Sequence, residues 1–183
     1  MIAVGAILAS VVVAQAAAVP PRDEVARGFR CPAGAERVGA APPEGFEAWC
    51  ELPDEVPERR RHGPALTWYD DGGLARSATL DHGRLDGPFM EWHRNGKPAV
   101  AGRYRADLRD GTWTLWFESG QREEECAYER DLRNGPFAAW WPNGRPRTRG
   151  RHCRGLQCGT WTTWDEAGRA LGTATYDEIR ATP

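Results

Sequence analysis

The sequence predicts an all-β fold: an elongated single-layer antiparallel meander of five 24-residue β-hairpin repeats, preceded by an N-terminal disulfide-linked cap. The first observation behind this is a period without insertions. One glycine column runs Gly63, Gly87, Gly111, Gly135 and Gly159, and a tryptophan follows each after a constant interval, at Trp68, Trp92, Trp116, Trp140 and Trp164. The second is a turn dipeptide in each copy, ending in Gly72, Gly96, Gly120, Gly144 or Gly168. An identical unit repeated without breaks must meet its neighbours in the same way each time, which is the logic of a stacked array.

Met1 to Pro21 carries no charged side chain, and Ile2 to Val13 is almost wholly apolar before Ala14-Gln15-Ala16-Ala17-Ala18. This reads as a signal peptide over residues 1–18, cleaved after Ala16 or Ala18, with an uncleaved anchor as the alternative. Export to the periplasm or beyond is expected, and an oxidising compartment makes disulfides the default reading of cysteines. Cys31 and Cys50 bracket a Pro/Gly-rich stretch and form the first expected pair. Cys153 and Cys158 flank a tight connection and form the second. Cys126 falls in a column of small residues, Ala78, Gly102, Cys126, Gly150 and Ala174, consistent with a bulky ring lying over each.

Residues 19–62 lack the period and read as a cap and linker, rich in proline and poor in regular structure. Its one expected strand is Glu47 to Glu51, placed to cover the edge of the first hairpin. Pro53 to Gly63 reads as a linker. The repeats then occupy residues 63–182. Each unit opens with Gly, then Pro or Thr, then usually an aromatic: Phe89, Trp113, Phe137 and Trp161, with Ala65 in the first copy. Asp-Gly and Asn-Gly suggest a two-residue hairpin turn at the middle of each unit. A second arm runs to Tyr104, Tyr128 and Tyr176, with Leu80 and His152 in the remaining copies, and a second bend follows at Gly83, Asp107, Asp131 or Gly155. About ten strands are expected, with rows of Trp, Phe and Tyr as the principal packing.

The pattern Gly-x-[Phe/Trp]-x-x-Trp-x-x-[Asn/Asp]-Gly, followed by Tyr and a tight turn, resembles the bacterial variant of the MORN repeat over residues 63 to about 182. The first unit departs from it at Ala65 and Leu80, as an end unit does. Proteins with this variant are often catalogued as antitoxins, and MORN arrays more generally serve as protein-interaction scaffolds. The resemblance implies these roles; the residue pattern itself speaks only to fold.

The chain has 24 Lys and Arg against 26 Asp and Glu, for a net charge of -2. Without a basic surplus, neither nucleic-acid binding nor membrane binding by the repeats is expected. No phosphate loop, nucleophile elbow or zinc-helix motif occurs, and the four histidines are scattered, so no catalytic residue, cofactor or metal ligand is assigned. One asymmetry stands out: Arg145, Arg147, Arg149 and Arg151 alternate along one arm and so project from one face, in a unit without an acid. Glu123 and Glu125 occupy the columns of Arg147 and Arg149 one unit earlier, about 10 Å away, too far to pair tightly. The expected function is a non-enzymatic envelope module that binds a protein partner through its flat sheet face or exposed end; the arginines are either candidate contacts for an acidic partner or a solvated charge face balanced along the sheet. Phe117 and Trp141, beside the tryptophan ladder, are the candidate rings for an alternative carbohydrate or cell-wall ligand. An antitoxin or immunity protein is the third reading.

Overall fold

The computed structural model describes residues 19–177. The signal-peptide reading of residues 1–18 lies outside them, as do residues 178–183. The described chain is one open antiparallel sheet of thirteen strands in which spatial order follows chain order. The strands are β1 (Glu36–Ala40), β2 (Glu47–Glu51), β3 (Arg61–Trp68), β4 (Leu74–Asp81), β5 (Arg84–Trp92), β6 (Pro98–Arg105), β7 (Leu108–Arg109), β8 (Gly111–Trp116), β9 (Arg122–Glu129), β10 (Leu132–Trp140), β11 (Pro146–Cys153), β12 (Leu156–Trp164) and β13 (Ala170–Tyr176). Two arms per repeat hold throughout, except that the first arm of the third unit is split into β7 and β8.

The cap is more regular than its composition suggests. A short helix α1 (Arg22–Arg27), the hairpin β1–β2 and a 3-10 turn over Pro57–Arg59 replace the expected irregular segment, and β3 starts at Arg61 inside the expected linker. The expected strand Glu47–Glu51 is β2, and it pairs with β3 as an edge cover. Both expected disulfides form, Cys31–Cys50 and Cys153–Cys158, and Cys126 is free and buried.

The mid-unit connections are not the two-residue turns expected of them. At the Asp-Gly and Asn-Gly sites the amide of Tyr69 donates to Gly73 and that of Gly72 to Tyr69, and this pattern recurs at His93, Trp141 and Asp165. Only the glycine has positive φ, +84° at Gly72 and +81° at Gly96 and Gly144. These are therefore three-residue loops closed by a glycine bulge, not two-residue turns. The Asp or Asn side chain bonds forward instead: Asp71 Oδ1 accepts from Gly73 N at 2.8 Å, and Asn95 and Asn143 repeat the contact at 3.0 Å. The true two-residue turns lie on the opposite edge. There His82-Gly83, Ala106-Asp107, Arg130-Asp131 and Arg154-Gly155 have positive φ at both residues.

Strand alternation gives the sheet two different faces. On the aromatic face, Phe89, Trp113, Phe137 and Trp161 alternate across the strands with the small column. A Cβ added at Gly102 would lie 2.3 Å from the Trp113 ring, and one at Gly150 would lie 2.2 Å from that of Trp161. The indoles rest directly on the backbone, which is why that column stays small. Tyr104 and Tyr128 turn their edges to Trp113, and His152 does the same to Trp161. On the other face, here the ladder face, lie Leu66, Leu74, Met90, Trp68 and Trp92. Val25, Ala26 and Phe29 of the cap pack on them.

Candidate functional site

The cap covers only the first two units of the ladder face. Its reach ends where Arg22 bonds the carbonyl of Arg94 and its guanidinium lies over Gly96. Trp92, beneath the cap, is 1% exposed, while Trp68, Trp116, Trp140 and Trp164 are half-buried. The ladder is thus a uniform core element in sequence but not in burial. Beyond Trp92 the ladder face carries Thr114, Glu125, Ala138, Arg149, Thr162 and Thr173 in one cross-strand row. The cap does not reach that row, in which Thr114 is buried, Glu125, Ala138 and Thr162 are half-buried, and Arg149 and Thr173 are exposed.

The four arginines lie on or at the rim of this open half. Arg149 pairs in register with Ala138 and Arg151 with Pro136, and both are exposed. Arg147, half-buried, places its guanidinium 5.6 Å from the Trp141 ring centre, a cation–π contact. Arg145 turns to the loop edge, where Nη1 donates to the carbonyl of Glu166 at 3.1 Å. Among the described residues none of the four forms an ion pair with a carboxylate. Of the neighbouring acids, Glu125 pairs with Arg122 at 3.3 Å and Glu124, on the aromatic face, with Arg133 at 3.0 Å, while Glu123 has no ion pair among the described residues. Unpaired guanidinium groups beside half-buried indoles are suited to receive carboxylates or other planar anions.

Phe117 and Trp141 are half-buried in the loop-edge stack and are not freely exposed rings. Trp141 Nε1 donates to the carbonyl of Trp164 at 3.1 Å. Tyr69 donates to the Trp92 carbonyl at 2.6 Å and His93 Nε2 lies 2.8 Å from that of Trp116, so this column bonds each loop to the next. Phe117 has no polar group to continue the series. The sequence signal for this was present, since Tyr69, His93, Phe117, Trp141 and Asp165 recur at the repeat period.

Elsewhere the titratable groups are structural. Burial pushes the Cys126 thiol up to about 11, so it stays protonated at neutral pH. Asp131 is held below its usual range first by its bond from Arg109 Nε at 2.7 Å, which ties successive two-residue turns together. Burial and then Arg133 lower His152. Away from the open face, His62, Asp81 and His82 bring ligand atoms within 4.8 Å of one another.

Residues 109–130 match the family described as MORN repeat variant. This stretch is β7, β8, the glycine-bulge loop and β9, ending in the following two-residue turn. Four further copies of the glycine and tryptophan pattern, at the same period, flank it. No curated protein matches the chain. The two disulfides point to an oxidising compartment, and no described helix is long and apolar enough to cross a membrane.

Proposed function

We propose that this chain is an exported, non-enzymatic repeat module that binds a protein partner of the cell envelope through the open half of its ladder face. One observation carries the reading: the cap seals one half of that face, while the other half presents Arg147, Arg149 and Arg151 without partnering acids. A flat sheet face needs no pocket to bind a protein, and arginines beside aromatic rings are favoured at such interfaces. The disulfides support export and weigh against an antitoxin acting in a reducing cytoplasm. The partner surface is expected to be acidic, so association weakens as salt rises.

The test is affinity capture from intact envelopes, with the wild-type chain and a variant carrying Arg145, Arg147, Arg149 and Arg151 all changed to Ala. The wild type is expected to retain a near-stoichiometric protein that the variant loses, with unfolding free energies agreeing within about 0.5 kcal/mol per substitution. Equal capture by both chains would remove the arginine face as the site. Absence of a protein partner, together with saturable quenching of Trp fluorescence by envelope glycans, would shift the reading to a carbohydrate module using Trp141.

A further inference from the structure

The register of the sheet creates a cluster that no motif in the sequence announces. Gly63 pairs with Leu80, so His62 on β3 stands beside Asp81 at the end of β4, and the two-residue turn that follows places His82 next to both. His62 Nδ1 lies 3.1 Å and His82 Nδ1 2.7 Å from the same Asp81 oxygen, with the imidazole centres 4.9 Å apart. His62 Nδ1 is shielded from solvent and makes no aligned hydrogen bond despite its nearness to Asp81. From the connector before β3, Glu55 brings a carboxylate oxygen to 4.0 Å from His82 Nε2.

Comparison with the equivalent turns sharpens the anomaly. Each later turn is flanked by a linked pair of side chains: Arg105 with Asp110 at 3.0 Å, Asn134 donating to Glu129, and the Cys153–Cys158 disulfide. The corresponding residues of the first turn are Asp81 and Asp86, two carboxylates that repel rather than link. Asp86 is turned to the amide of Ala106 at 3.2 Å, and Asp81 faces the two imidazoles. The first turn therefore lacks the cross-link its counterparts have and carries metal-ligand groups in its place.

We propose that His62, Asp81 and His82 bind a divalent transition-metal ion, zinc by ligand type, as a three-residue ligand set with a fourth position left to water. Two imidazoles with one carboxylate form a borderline ligand set suited to zinc and poorly suited to magnesium or calcium. Tetrahedral zinc at 2.0–2.1 Å from each ligand atom separates those atoms by about 3.3 Å. The three ligand atoms now lie within 4.8 Å of one another, so binding would draw them together. The ion would fasten the start of β3 to the turn after β4, bracing the first hairpin where the later turns carry their cross-links.

Isothermal titration of the full chain with zinc chloride, with magnesium chloride as control, tests the site. One zinc per chain with a dissociation constant below about 10 μM is expected, with no heat from magnesium. H62Q, and H82N whose asparagine tolerates the positive φ of the turn, should each weaken binding at least about 100-fold. H93Q should bind as the wild type does. Circular dichroism of each variant separates ligand loss from misfolding. Binding weaker than about 100 μM in the wild type, or tight binding kept by the folded H62Q/H82N double variant, overturns the proposal.

Discussion

The two halves of the array share one repeat but use its ladder face differently. In units one and two, Leu66, Leu74, Met90 and Trp92 meet helix α1 and Phe29, and the face is core. In units three to five the column of Leu66 and Met90 holds Thr114, Ala138 and Thr162, Glu125 and Arg149 stand where the first two units have Ser77 and Ala101, and the cap does not reach them. The aromatic face carries the opposite gradient: Ala65 where later units have Phe or Trp, then Phe89, Trp113, Phe137 and Trp161. A single-layer sheet must bury apolar surface on at least one face to persist. This chain does so on the ladder face at its start and on the aromatic face thereafter, which leaves the later ladder face free to carry charge.

If that division is right, the same substitution must cost different amounts in the two halves. Trp92→Ala removes an indole that is 1% exposed beneath the cap and should cost about 4 kcal/mol of unfolding free energy. Trp140→Ala removes the equivalent ring, half-buried and covered on one side by Arg122 at 4.9 Å, and should cost about 2 kcal/mol. Urea unfolding of both variants decides it. Equal losses would mean that the open half is sealed as tightly as the capped one.

The disulfides sharpen the comparison at the level of connectivity. Cys31 and Cys50 are 19 residues apart and join the segment after helix α1 to β2, the cap strand that pairs with the array; Cys153 and Cys158 are 5 apart and brace one turn. Loop-closure entropy assigns about 3 kcal/mol to the first and about 2 kcal/mol to the second. The paired Cys→Ser variants should also differ in kind. Loss of Cys31–Cys50 exposes Leu66 and Trp92 and raises binding of a hydrophobic dye, while loss of Cys153–Cys158 leaves it unchanged. A dye response from the second variant alone would contradict the cap's role.

Much of this architecture was legible in the residues because the repeat samples each structural position five times. The small column announced the overlying rings before any geometry, and Gly102 under Trp113 shows why. Arginine alternation likewise placed Arg149 and Arg151 on one face. What stayed hidden has physical causes. Asn-Gly fits both a two-residue turn and a three-residue loop with a glycine bulge, and the choice depends on strand register, which no local dipeptide encodes. The helix Arg22–Arg27 is only 6 residues long, stabilised by docking on Leu66 and Trp92 rather than by its own sequence. His62 and His82 belong to different strands and meet only through pairing across β3 and β4.

The smallest expected effect lies where one unit departs from the tyrosine column on the aromatic face. Tyr104 sits 4.9 Å from Trp113 and 5.3 Å from Phe89; His152 occupies the same niche, 4.9 Å from Trp161 and 5.3 Å from Phe137. Burial, and then the charge of Arg133, hold the His152 imidazole below its ordinary pKa. The unfolded chain therefore takes up this proton at a higher pH than the folded chain does. Stability from this site is complete above the ordinary imidazole value of about 6.5 and declines as pH falls from there through the depressed folded value. A tyrosine does not titrate in that window, so His152→Tyr should remove this share of the acid sensitivity while filling the niche that Tyr104 fills in the second unit. Unfolding free energies at about pH 7.5 and about pH 5 for both chains measure it. A smaller drop in H152Y than in the wild type is expected. An identical drop would mean that His152 protonates without disturbing the Phe137–Trp161 cluster, and that the open half tolerates charge on both of its faces.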